Sequence, residues 1–176
     1  MTTPLNATAA SLLGFLHERP MTGWELVETA DARIGAFWSL TRSQVYRELA
    51  AMARPGLIEA GETGPRDRRP YTLTDAGRAA FQRWAETMPA PEQIRYPLLL
   101  AISFGSYIPE ETLAGFVAAH RREHHERLAA YERALPDVRA HGGPQAVAVL
   151  DFGIRYERAV LGWFETLPWE LARQSL

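Results

Sequence analysis

The chain has no cysteine and no lysine. The first absence removes disulfide frameworks, cysteine-ligated zinc, iron–sulfur clusters and thiol nucleophiles together, and it fits a reducing compartment. The second leaves all nineteen side-chain cations to Arg; with 27 Ala beside them, this usage reads as the codon bias of a GC-rich genome. Long apolar runs are missing too. The longest uncharged stretch near the middle, Tyr96 to Pro109, has 14 residues and ends in proline, short of the roughly 20 that a spanning helix needs. No basic residue precedes Arg19, so the start lacks the charged front of a secretory signal, and the expected location is the cytoplasm. A large charge of either sign is also absent. The net charge is −2 over 176 residues, which argues against a globally basic nucleic-acid binder. It leaves room for a local one, because counterion release depends on where the cations sit.

What is present suits a globular protein: 47% apolar and 23% charged residues, enough for a core without staples. The first half alternates helical and short extended signals. Leu5 to His17 is apolar enough for a helix that Pro20 closes. Thr22-Gly23-Trp24-Glu25 has the capping-box pattern, a hydroxyl with a Glu three residues later, and opens a second helix. Thr41-Arg42-Ser43-Gln44 repeats it with Gln, so a third helix is expected from Arg42 to Arg54, stopped by Pro55 and Gly56. Leu57-Ile58-Glu59-Ala60 and Pro70-Tyr71-Thr72-Leu73 then read as short strands around a turn rich in Arg, a two-stranded hairpin. Thr74 and Asp75 restart helix as far as about Met88. Trp24, Phe37 and Trp38 are expected in the core. This order, three helices, a hairpin with a basic tip and a helix, is that of a winged helix-turn-helix.

Pro89 and Pro91 mark a boundary, dividing the chain into a domain over 1–88 and a helical domain over 89–176. Helices are expected at about 92–104, 110–135 and 144–167, broken by Pro109, Pro136, Gly142-Gly143-Pro144 and Pro168. On the last, Asp151, Arg155, Arg158 and Glu165 form one narrow polar stripe. Val149, Phe152, Tyr156, Val160, Trp163 and Leu167 form an apolar stripe, and Val147, Leu150, Ile154, Leu161 and Phe164 a second. A helix apolar over most of its circumference must be covered on several sides, which points to a partner subunit.

The first 80 residues resemble the PadR family of transcriptional regulators. The matching pieces are Leu12-Leu13-Gly14-Phe15-Leu16, Pro20-Met21-Thr22-Gly23-Trp24-Glu25-Leu26, Phe37-Trp38 with Tyr46, Gly56-Leu57-Ile58, and Arg69-Pro70-Tyr71-Thr72-Leu73-Thr74-Asp75-Ala76-Gly77. The second half is similar in kind, by length and helicity, to the dimerisation domain of longer relatives. In the third helix the family often reads Ser-Pro-Gly-Thr-Ile-Tyr-Pro. Here the helix start lacks the Pro and Gly, and Arg47 follows the Tyr, a departure that bears on the operator and not on the fold.

Val45, Leu49 and Met52 recur at i, i+4, i+7 and should pack on the first two helices. The opposite face carries Ser43, Arg47, Ala50 and Arg54, small or polar residues with Arg, which suits a helix entering the major groove. The set expected to meet DNA is Thr41, Arg42, Ser43, Gln44, Tyr46 and Arg47 with Arg66, Arg68 and Arg69 of the hairpin. Arg47 and Ser43 would contact bases and the hairpin arginines phosphates; for Tyr46 a phosphate contact is what the resemblance implies. Gln44 is already employed by its capping-box position. An ordinary solvated helix and a charged turn are the competing readings.

The expected function is that of a homodimeric repressor, whose two-fold symmetry makes the operator roughly palindromic; the resemblance further implies small aromatic effectors in some relatives. Phe104, Tyr107, Tyr156, Trp163, Phe164 and Trp169 are candidates to line an effector pocket, against a reading as core and interface. No cofactor, phosphate loop, catalytic triad or nucleotide fingerprint is found. The rival is catalytic: His120-Arg121-Arg122-Glu123-His124 matches the H-x-x-E-H zinc-peptidase pattern. The run from Arg121 to Arg133 is nevertheless charged throughout, with Arg and Glu at i, i+4, as in a solvated or dimer-flanking helix. A winged helix serving only protein contacts is a further alternative.

Overall fold

The computed structural model describes residues 5–35, 37–62, 64, 69–92 and 94–168. The chain forms two compact units that divide between Pro91 and Glu92.

In the first unit, α1 (Ala7–Leu16) starts at Asn6, whose side-chain oxygen accepts from the Ala9 amide at 2.8 Å. Ala9, Ala10, Leu12, Leu13, Phe15 and Leu16 are buried, so α1 is apolar on most sides and is covered by α2 (Gly23–Ile34), α3 (Arg42–Ala53) and α4 (Asp75–Ala85). Leu26, Val45, Leu49 and Ile58 complete the core with Leu12 and Leu13. Gly56, at φ +72°, takes the left-handed turn that leads out of α3. β2 (Ile58–Ala60) and β3 (Pro70–Leu73) then pair antiparallel, with Ile58 opposite Leu73.

A third strand joins this sheet. β1 (Met21–Thr22) pairs with the other edge of β3, Met21 opposite Tyr71, giving the order β1-β3-β2. Two residues are too few to carry a period-two pattern, so only the pairing reveals it.

Thr22 ends β1 and caps α2. Its hydroxyl accepts from the Glu25 amide at 3.2 Å, while its own amide donates to the Glu25 carboxylate at 2.8 Å. The backbone N–H of Thr22, then its hydroxyl, then Arg19 hold the Glu25 carboxyl at about 2, below its ordinary 4.5. A depressed carboxyl stabilises the fold above its unfolded value and loses that contribution as pH falls. The stability gap between the parent and Glu25→Gln should therefore be constant near neutrality and close between about 4.5 and 2. Denaturation at stepped pH checks it, and a gap independent of pH would contradict the cap.

Trp24, Phe37 and Trp38 are not core residues. They are 47%, 56% and 42% exposed. The inward face of α2 is taken by Gly23, Leu26 and Ala30, and Trp24 falls about 100° from Gly23 around the helix. After α2 the amides of Phe37 and Trp38 turn back onto the Ile34 carbonyl, and Ile34 and Leu40 pack on the core instead.

The second unit holds α5 (Pro97–Ser103), a 3-10 turn (Gly105–Tyr107), α6 (Glu110–His141) and α7 (Pro144–Phe164). α5 begins at Pro97 and not near residue 92, since Tyr96 before it is held extended (φ −116°, ψ 97°). α6 runs through Pro136 for 32 residues, about 48 Å. Pro136 is exposed, so water can satisfy the carbonyl that its missing N–H leaves open. α7 stops at Phe164 because Leu167 precedes Pro168. Leu98, Val117, Leu161 and Phe164 form the core of this unit. The second apolar stripe of α7 thus points inward at Ile154, Leu161 and Phe164, while on the first Val149 is exposed and Phe152 is 63% exposed.

Candidate nucleic-acid interface

Three buried side chains orient α3. Val45, Leu49 and Met52 seat one face on α1 and α2, so Arg42, Ser43, Tyr46, Arg47, Ala50 and Arg54 are exposed on the other. The capping box is formed: the Thr41 hydroxyl accepts from the Gln44 amide at 3.2 Å, and the Gln44 side-chain oxygen accepts from the Thr41 amide at 2.8 Å. Thr41 and Gln44 thereby fix where the helix starts, and Ser43 joins them through a hydroxyl contact of 3.1 Å with Thr41.

Arg47 is exposed beside Glu48, 3.5 Å away. Glu48 in turn accepts from the Asn6 side chain at 3.1 Å, so the residue that caps α1 also steadies the carboxylate next to Arg47. Tyr46 is 45% exposed. Of the wing cations, Arg69 is exposed and donates from Nε to the Gly61 carbonyl at 3.0 Å, across the base of the hairpin. Arg66 and Arg68 lie outside the described residues.

The second unit contains a polar cluster. His124 on α6 and Glu157 on α7 are buried polar side chains, at 7% and 3% exposure. His124 Nδ1 contacts one carboxylate oxygen of Glu157, and Arg127 Nε donates to the other at 3.0 Å. Nδ1 donates in the contact with the carboxylate, which only accepts; an Arg127 guanidinium nitrogen lies 2.9 Å from the same Nδ1 and can donate to it only in the other tautomer. Beside it the Tyr96 and Tyr156 hydroxyls bond to each other. Burial, then the Tyr96 hydrogen bond, pushes the Tyr156 phenol above its ordinary range.

Of the proposed effector residues, Tyr156 and Phe164 are brought together around the His124 ring, at 6.4 and 5.8 Å between centroids. Trp163 stacks obliquely on Phe164 at 4.9 Å. Phe104 and Tyr107 are instead exposed at the end of α5 and in the turn after it; Trp169 lies outside the described residues. The H-x-x-E-H segment divides in the same way. His124 faces inward to Glu157, while Glu123 is exposed and meets Arg127 at 3.9 Å. Among the described residues no three His, Asp or Glu side chains are placed to hold a metal ion. Also among them, no helix is long and apolar enough to cross a membrane.

Glu157 was legible in the sequence as a lone acid between Ile154 and Leu161, three and four residues away on the inward face of α7. Its partners on α6 were not, since 33 residues separate it from His124.

Comparison with known proteins agrees with this geometry. Residues 12–83 match the transcriptional regulator PadR-like family, and residues 94–168 match the virulence activator alpha C-terminal family. The negative transcriptional regulator PadR of Bacillus subtilis is 23% identical over 89% of this chain and 93% of its own. A probable transcriptional regulator of Mycobacterium tuberculosis is 29% identical over 88% and 92%. A PadR-like regulator of Bacillus cereus superposes with a TM-score of 0.77 at 19% identity, over 93% of this chain and 97% of that one. Bacillus subtilis PadR superposes in complex with operator DNA (TM-score 0.72, 21% identity, 92% and 96% covered) and with p-coumaric acid (0.66, 20%, 99% and 100%). The fold is that of the winged-helix regulators. Residues 12–83 are thus a PadR-like domain, and along most of its length the chain is similar to PadR-type transcriptional regulators.

Proposed function

We propose that this protein is a sequence-specific DNA-binding repressor of the cytoplasm, acting by binding and not by catalysis. The observation that carries the reading is α3: one face locked into the core and the other offering Arg42, Ser43, Tyr46 and Arg47 within a fold shared with an operator-bound relative. Arg47 and Ser43 contact bases; Tyr46, Arg66, Arg68 and Arg69 hold phosphates. Residues 1–88 read DNA and residues 89–176 make a homodimer through the apolar stripe that Val149 and Phe152 leave open. Two-fold symmetry then presents two α3 helices to half-sites about one helical turn apart, so the operator is roughly palindromic. The p-coumaric acid complex of the Bacillus subtilis protein supports a small aromatic effector near Tyr156, Trp163 and Phe164, with Phe104 and Tyr107 contributed at the subunit interface. Such a ligand would bias the spacing of the two DNA-binding units.

The test is a fluorescence-anisotropy titration with DNA from upstream of the protein's own gene, beside random duplex, at two salt concentrations. Tight, salt-sensitive preference for the upstream fragment is expected; no binding at low salt overturns the reading. Arg47→Ala should weaken the specific duplex more than the random one, by ~1–3 kcal/mol for a bidentate base contact. Arg68→Ala should weaken both alike and reduce the salt slope by about one unit. Unchanged operator affinity in Arg47→Ala would mean that α3 is turned differently on the groove.

A further inference from the structure

Gly23, the first residue of α2, is buried. Its backbone is not in the left-handed region, where Gly56 alone is found among the described glycines. Any residue could adopt that conformation, so what glycine supplies there is space. A Cβ at position 23 would stand 2.6 Å from Cε1 of Tyr46, 2.8 Å from Cζ and 3.0 Å from the hydroxyl oxygen. The outer end of the Tyr46 ring therefore rests on the bare backbone at the start of α2. That hydroxyl has no hydrogen-bond partner among the described residues, although the side chain is only 45% exposed. Its ring is held and its polar end is left over.

The obstruction at Gly23 is the tip of a side chain and not backbone. An added methyl can be accommodated by displacing the Tyr46 ring, with α2 and α3 left as they are. We propose that Gly23 is a positioning residue for DNA binding: by having no side chain it seats the Tyr46 ring on α2 and fixes where the free hydroxyl stands. This rests on the reading that Tyr46 meets a DNA phosphate. A hydroxyl held in place loses less freedom when it forms a hydrogen bond than one on a swinging ring.

Gly23→Ala, Tyr46→Ala and the double variant separate this role from a merely structural one. In the Tyr46 background, Gly23→Ala should lower affinity for the upstream duplex by about tenfold, the worth of one charge-assisted hydrogen bond. In the Tyr46→Ala background it should change nothing. Thermal unfolding supplies a second readout with a change of sign. Alanine is the better helix former, so Gly23→Ala should raise the melting temperature when Tyr46 is absent and fail to raise it when Tyr46 is present. Equal loss of affinity in both backgrounds, or none in the Tyr46 background while Tyr46→Ala weakens binding, overturns the proposal. Parent-like binding by Tyr46→Ala would instead refute the phosphate contact and the seat with it. Absence of binding by the parent would refute the functional reading on which both depend.

Discussion

Replacing Glu157 by Ala is expected to lower the unfolding free energy of the second unit by about 3–5 kcal/mol, the range for removing one partner of a buried ion pair. Glu157 is buried, and its two oxygens are met by His124 and by Arg127. Deleting it leaves His124, in an apolar surround that includes Phe164, with the Arg127 guanidinium 2.9 Å from Nδ1 as its remaining polar neighbour, and removes the acceptor of the Arg127 Nε at 3.0 Å. Arg127 is partly solvated, whereas His124 is buried and keeps only the Arg127 guanidinium beside it. The penalty is the loss of the carboxylate that both groups share. Glu157→Gln keeps the volume and an acceptor and should lose less. Chemical denaturation followed by circular dichroism measures both. A loss under about 1 kcal/mol for Glu157→Ala would mean that the pair behaves as a solvated one.

Gly77→Ala is expected to destabilise the first unit by about 3 kcal/mol, the upper end of ordinary overpacking, although helix propensity alone would favour Ala by ~1 kcal/mol. Gly77 lies in the first turn of α4, where its amide donates to the Thr74 hydroxyl at 3.1 Å. The single proton of that hydroxyl is shared between the carbonyls of Gly56 and Leu57, at 2.7 and 3.0 Å. The start of α4 is thereby drawn against Leu57, the residue just before β2. A Cβ on residue 77 would stand 2.1 Å from the Leu57 carbonyl oxygen and 2.7 Å from Cδ1 of Leu73. Here the obstruction is backbone, and relief requires moving a strand of the wing. The contrast with Gly23, where only a ring tip intervenes, makes the pair informative: one substitution should cost stability and the other affinity. A more stable Gly77→Ala would show that α4 and β2 can separate freely.

Much of the first unit could be read from local pattern. The hydroxyl and Glu or Gln of both capping boxes are three residues apart, and Val45, Leu49 and Met52 mark one helical face, so these features need no tertiary information. The exposed aromatics lie outside any such pattern. Trp24, Phe37 and Trp38 are apolar in composition, but the inward places were filled by Leu26, Ile34 and Leu40, a matter of rotation that a short loop does not reveal. β1 and the His124–Glu157 pair were hidden by sequence distance, each being defined by a partner far along the chain. Pro136 does not end α6, because a proline's effect as a helix breaker is mild where water reaches the open carbonyl.

The wing's sheet has its longest strand, four residues, in the middle, flanked by strands of two and three. Both sides of β3 are already used, and Pro70 at its start has no N–H to offer. What remains at the margins is too short to act as a template for another chain's strand. Copies of this protein can thereby crowd together without their sheets growing into one another.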